Sequence, residues 1–148
     1  MKDIINYIKV SDNIATSGQP TKEQFEKISK NGYEIVINLA VAQSEGKIEN
    51  EDDIVTTLGM NYIHIPVEFL EPTTKNLKDF LEILSSLSHK KVWVHCIMNY
   101  RVSAFMYVYH KYILNTPFEN IDMKVFEEWS PDESWQKIMK TPPEDLDI

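Results

Sequence analysis

The chain has a single cysteine, no long apolar run and too few basic residues to balance its acidic ones, and each shortage closes off a class of function. With Cys96 alone, an internal disulfide framework is impossible, as is a zinc centre built on several thiolates; one free thiol suits a reducing cytoplasm. No apolar stretch approaches the roughly 18 residues that a membrane span needs, so membrane insertion is not expected. The opening residues, MKDIINYIKVSDNIATSG, alternate polar and apolar and lack the uninterrupted apolar segment of a secretory signal. Fifteen lysines and arginines face 23 carboxylates, a net charge of −8, which argues against nucleic acid as a partner. Part of that excess lies between Pro117 and Ile148, nine carboxylates against three lysines, and reads as a solvated acidic surface. Four histidines scattered singly give no reason to expect a metal, and no cofactor is expected either.

What remains is 148 residues, 43% of them hydrophobic, enough for one globular domain spanning 1–148. Residues 1–13 offer weak alternation (Ile4, Ile5, Tyr7, Ile8, Val10), expected as a short strand or turn at a sheet edge. Ile14–Ser17 is a strand candidate stopped by Gly18-Gln19-Pro20. Thr21, with Gln24 three positions on, resembles a capping box for a helix through Lys30, closed by Asn31-Gly32. Glu34–Val41 is too apolar to face water on either side, the mark of a central parallel strand. A polar loop over 42–50 leads to a helix near Glu51–Leu58, and Tyr62–Phe69 reads as another strand. Leu77, Phe80, Leu81, Leu84 and Leu87 form one stripe of a helix opened by Pro72 and Thr73. Lys91–His95 is a third central strand, followed by a buried helix over Val102–Leu114. Two short helices, Phe118–Trp129 and Ser134–Lys140, and a frayed TPPEDLDI end complete the chain. The alternation predicts an α/β, three-layer fold with a mostly parallel central sheet flanked by helices, whose ligands bind beyond the carboxyl ends of the strands.

The richest segment is VWVHCIMNYRVSAF, Val92 to Phe105. It reads as a buried strand, a tight turn and a helix, with Cys96 where the strand ends and Arg101 where the helix would begin. Backbone N–H groups converge at such a junction, and the helix dipole favours anions there. A thiol in that field ionises readily and becomes a nucleophile, while a guanidinium can grip a tetrahedral oxyanion with two parallel hydrogen bonds. The expectation is a cysteine-based site for phosphate or a similar anion.

Three segments together, IATSGQPTKEQFEKISKNGYEIVINL, GMNYIHIPVEF and WVHCIMNYRVSAF, resemble the bacterial branch of the cysteine-dependent dual-specificity and tyrosine phosphatases. The resemblance implies Cys96 as the nucleophile that forms a phosphocysteine, Arg101 as the clamp on the phosphoryl oxygens, and the backbone of Ile97, Met98, Asn99, Tyr100 and Arg101 as the cradle. It implies that His95 holds the loop and tunes the thiolate, and that Ser103 bonds the thiolate or assists phosphate release. A carboxyl group after the HIPVEF strand, Glu68 or Glu71, would protonate the leaving oxygen, with Glu68 the first choice. The implied partner is a phosphorylated substrate.

One departure stands out. The family loop usually has five residues between Cys and Arg, with a glycine midway, whereas here four intervene. Without a gap, Ser103 keeps its distance from Cys96, Asn99 falls on the glycine and Val102 on the arginine. Asparagine tolerates the left-handed conformation that glycine would supply. Three functions compete: a phosphatase passing through a phosphocysteine, a phosphatase-like domain that binds an anionic partner without turnover, and a rhodanese-like sulfurtransferase, whose loop has a similar spacing.

Overall fold

The structure, a computed structural model, describes all 148 residues. Its frame is a five-stranded sheet made of β1 (Ile8–Lys9), β2 (Ile14–Ser17), β3 (Ile35–Asn38), β4 (Asn61–His64) and β5 (Val92–His95), in the order β1-β2-β5-β3-β4. Only β1 runs antiparallel, pairing Ile8 with Thr16 at the edge; the other pairings are parallel, as the apolar runs predict. The helices are α1 (Lys22–Lys30), α2 (Glu51–Thr57), α3 (Thr74–Ser86), α4 (Tyr100–Val108) and α5 (Glu133–Met139).

Alternation along the strands sorts the core onto two faces. Ile35 and Ile37 of β3, with Val92 and Val94 of β5, pack against α3, α4 and α5. Val36 and Trp93, pointing the other way, pack with Ala15, Phe25, Ile28 and Val55 under α1 and α2. The helix starts follow their sequence cues. Thr21 and Gln24 form the reciprocal capping box of α1, and the Thr73 hydroxyl accepts from the Asn76 amide at the start of α3. The stripe of α3 buries Leu77, Phe80, Leu81 and Leu84.

Several boundaries differ from expectation. The helix after β5 begins at Tyr100 rather than Val102, and beyond Val108 it loosens into a π-helical turn over Tyr109–Leu114. The Phe118–Trp129 segment is two short 3-10 turns, and the third lies at Pro143–Leu146. That last turn buries Leu146 against the α3 side of the core, so the C-terminal residues are docked rather than frayed. The strand expected over Tyr62–Phe69 ends at His64, yet Ile65 and Val67 still donate to the carbonyls of Asn38 and Leu39. The chain therefore runs on beside β3 and carries residues 67–70 to the carboxyl edge of the sheet. No helix is long and apolar enough to cross a membrane.

Candidate active site

The parallel register sets β5 between β2 and β3 and brings His95 level with Ser17 and Asn38, so Cys96 emerges at the middle of the carboxyl edge. From there the backbone turns through Ile97 and Met98 to Asn99, which sits in the left-handed region at φ 70° and ψ 12°, and α4 starts on the next residue. That conformation costs a residue with a Cβ roughly 1–2 kcal/mol. Asn99 offsets the cost with its side chain: Nδ2 donates to the Asn6 carbonyl (2.8 Å) and to Thr16 Oγ1 (3.1 Å), and Oδ1 accepts from Ser103 Oγ (3.2 Å). The asparagine thus adopts the left-handed conformation that its residue type tolerates.

The carbonyls of this loop are tied down from outside. Ile97 O accepts from the Gln19 amide at 2.9 Å, and Met98 O from Asn6 Nδ2 at 2.9 Å. Gly18 makes that approach possible, because a Cβ there would lie 2.3 Å from Ile97 O. By contrast, the backbone N–H groups from Ile97 through Val102 donate to no backbone carbonyl. Carbonyls held back and consecutive amides left over make a concave nest that suits an anion at the start of a helix.

Cys96, Ile97, Met98, Tyr100 and Arg101 line a cleft of roughly 340 Å³ together with Val41, Ser44, Glu45, Glu68, Phe69 and Leu70. Cys96 is only 1% exposed, at its floor. Arg101, on the first turn of α4, is buried; its Nη1 donates to Val67 O at 3.0 Å and its guanidinium lies 5.8 Å from the Phe69 ring centre. One of five guanidinium N–H groups is spent on that anchor, and the group is held in a fixed attitude at the cleft wall. Tyr100 stacks on Trp129 with ring centres 5.1 Å apart and donates to Glu128 at 2.8 Å, so it forms a side wall.

The other sequence candidates are distributed differently. Glu68 is exposed on the cleft wall, whereas Glu71 lies outside it, carried past the rim by a turn in which its amide donates to Glu68 O. Ser103 is buried behind the loop. Because α4 starts two residues early, its hydroxyl bonds Asn99, four positions back, and it does not line the cleft. His95 and Asn99 are likewise buried and line none of the cleft, so they brace the loop from below.

Beneath the nest lies a contact that no sequence motif announced. His95 Nδ1 meets the Cys96 carbonyl at 2.9 Å, and its Nε2 meets Glu51 Oε2 at 2.7 Å. Glu51 Oε1 accepts from Gln19 Nε2 at 2.6 Å. Burial alone would raise the Glu51 pKa, but His95, Gln19 and Tyr62 outweigh it and hold the carboxyl below its ordinary value. Tyr62 is pushed well up, first by its own burial and then by the Glu51 charge. Glu45 is the other residue the sequence did not single out; it sits in the polar loop at 42–50, where nothing distinguishes it from a solvated carboxylate. Glu51 opens α2 next to Asp52 and Asp53, and only the fold reveals that it alone turns inward.

Comparison with known proteins identifies a family and shared folds. A family model described as a DSP-PTPase phosphatase fused to NAD+ kinase matches residues 6–138. The crystal structure of a DUF442 protein from Shewanella putrefaciens CN-32 is 28% identical, covers 93% of this chain and 91% of its own, and superposes with a TM-score of 0.83. The core catalytic domain of the PP-IP phosphatase SIW14 from S. cerevisiae (14% identity, 96% and 88% coverage, TM-score 0.74) shares the fold. So does TpbA from P. aeruginosa (13%, 96% and 88%, TM-score 0.73). No curated protein matches the sequence.

Proposed function

The chain belongs to the family of DSP-PTPase phosphatases found fused to NAD+ kinase, and we propose that it hydrolyses a phosphomonoester through a phosphocysteine on Cys96. The observation that carries this reading is the run of amides from Ile97 to Val102 that donate to no backbone carbonyl, beside a cleft that holds one thiol and one guanidinium. The Cys96 thiolate attacks phosphorus and the bond to the leaving oxygen breaks. Glu68, the carboxyl group on the cleft wall, gives that oxygen its proton. Water then attacks phosphorus, giving a proton to Glu68 as the new O–P bond forms and the S–P bond breaks, which releases phosphate and restores the thiolate. Amides and Arg101 stabilise the equatorial oxygens, whose charge is spread in the transition state.

The same cleft supports a narrower substrate class. Arg101 is its one cation, while Glu45 and Glu68 are acidic, and Leu70 (84% exposed), Met98 and Phe69 supply an apolar rim. A substrate carrying one phosphate on an apolar or aromatic group suits that wall; one carrying several phosphates meets repulsion at close range. Membership of a phosphatase family also favours this chemistry over sulfur transfer.

The deciding experiment is a substrate panel on wild type and Cys96→Ser side by side. Aryl phosphate or phosphotyrosyl peptide turnover is expected in the wild type and lost in Cys96→Ser, with acid quench trapping phosphate on the wild-type protein. An inositol polyphosphate is expected to turn over far more slowly. Turnover surviving in Cys96→Ser would refute the nucleophile. No turnover, with orthovanadate still protecting Cys96 from alkylation, would make the chain an anion-binding domain.

A further inference from the structure

We propose that Glu51 is a positioning residue for Cys96, acting through His95. Its carboxylate keeps hydrogen on both imidazole nitrogens and aims Nδ1–H at the Cys96 carbonyl, so the anion loop takes part of its shape and charge from α2.

The hydrogen-bond pattern requires this arrangement. Cys96 O is an acceptor only, so Nδ1, 2.9 Å away, must carry the hydrogen between them. Nε2 lies 2.7 Å from a carboxylate oxygen, and one proton must sit between those two atoms as well. That proton is assigned to the ring, because Glu51 Oε1 also accepts from Gln19 Nε2 at 2.6 Å, a hydrogen bond that favours the carboxylate. His95 is fully buried and Glu51 nearly so, so the charge on the ring depends on its partner, because a lone buried cation is expensive. The Phe25 ring, 5.8 Å away at a steep angle, closes one side of the imidazole. The next residue, Cys96, meets the ring through its carbonyl, and the titratable and charged groups around Glu51 are Tyr62, Asp52, Lys47 and His64. Gln19 ties the unit together, its side chain on Glu51 and its amide on Ile97 O. The imidazole lies between the Cys96 carbonyl and the Glu51 carboxylate, so its donated hydrogen is nearer the anion loop than the negative charge is, a dipole oriented to favour a thiolate.

The proposal rests on reading Cys96 as the nucleophile, and its test is separable from turnover. Cys96 is the only cysteine, so its alkylation by iodoacetamide, followed from pH 5 to 9, reports one site. In Glu51→Gln the amide can still donate to Nε2, which preserves the ring's orientation and removes its charge. The half-maximal pH for alkylation is expected to move up by about one unit, a roughly tenfold slower reaction on the acidic limb. Glu51→Asp is expected to recover part of the shift. A purely structural role would lower the melting temperature and leave that midpoint in place. An unmoved midpoint overturns the proposal; so does a downward shift, which would mean that His95 keeps its proton unaided and the carboxylate opposes the thiolate. Should Glu51→Gln fail to fold, imidazole nitrogen NMR of the wild type at pH 7 decides: hydrogen on both His95 nitrogens is expected, and a neutral ring refutes it. A shifted midpoint in a protein without turnover would sink the phosphatase reading alone, and turnover with an unmoved midpoint would sink Glu51 alone.

Discussion

Replacing Asn99 with alanine removes three hydrogen bonds and leaves a Cβ-bearing residue at φ 70° without local compensation. Each lost bond is worth about 0.5–1.5 kcal/mol, and the left-handed backbone adds roughly 1 kcal/mol, so a loss of about 3–5 kcal/mol is expected. Asn99→Gly loses the same bonds but not the backbone strain. Glycine's larger unfolded-state entropy takes back part of that relief, which leaves it about 0.5–1 kcal/mol more stable than alanine. Urea unfolding of the three proteins is the assay, with midpoints expected in the order wild type, glycine, alanine. Oxoanion affinity should fall in both variants, because the amides are aimed by this turn. The reasoning fails if alanine is at least as stable as glycine, or if either variant unfolds within 0.5 kcal/mol of the wild type, roughly the uncertainty of a good comparison.

Gly18→Ala forces a Cβ against Ile97 O and Ile5, and should cost about 1–3 kcal/mol and weaken vanadate binding by calorimetry; wild-type affinity would refute the close approach. Glu68→Gln should slow turnover of a poor leaving group by about 100-fold or more, while Glu71→Gln changes it little; equal effects would remove Glu68 from the acid role. Because the Glu51 pKa is lower folded than unfolded, its stabilisation is complete above about pH 4.5 and is lost as pH falls through the folded value. Stability of the wild type should therefore fall more steeply than that of Glu51→Gln between pH 5 and 3, and parallel curves would contradict the shift. Moving the arginine one position along, Arg101→Val with Val102→Arg, puts a guanidinium where Val102 is fully buried in the core; about 3–5 kcal/mol should be lost, and a stable, anion-binding double variant would refute the placement.

Local chemistry made most of the fold legible. The strands at Ile14–Ser17 and Val92–His95 and the helix capped by Thr21 fall where apolar runs and capping residues predict, because each is decided within a few residues. The failures occur where long-range contacts decide. Leu146 looked like part of a loose end, and only its burial against a core built from distant segments holds that turn. The cleft was legible through Cys96, Arg101 and Glu68 because the strand–turn–helix pattern and the sheet topology both point to one edge. Glu51 was not, since its partner lies 44 residues away and its neighbours Asp52 and Asp53 carry the same charge. Periodicity cannot tell which of three consecutive acids faces inward.

The four-residue spacing between Cys96 and Arg101 finds its explanation in where the helix begins. With Asn99 closing the turn, α4 starts at Tyr100, and the arginine is a first-turn helical residue. Its side chain then reaches across the cleft to Val67 O instead of standing free. That anchor depends on residues 65–67 continuing beside β3, which is also what brings Glu68 to the wall. Guanidinium and carboxylate are therefore placed by one stretch of backbone, and the amide run stays unpaired because Gln19 and Asn6 hold the carbonyls outward. The left-handed turn at Asn99, the helix start at Tyr100 and the anchor of Arg101 on Val67 O are therefore coupled parts of one arrangement.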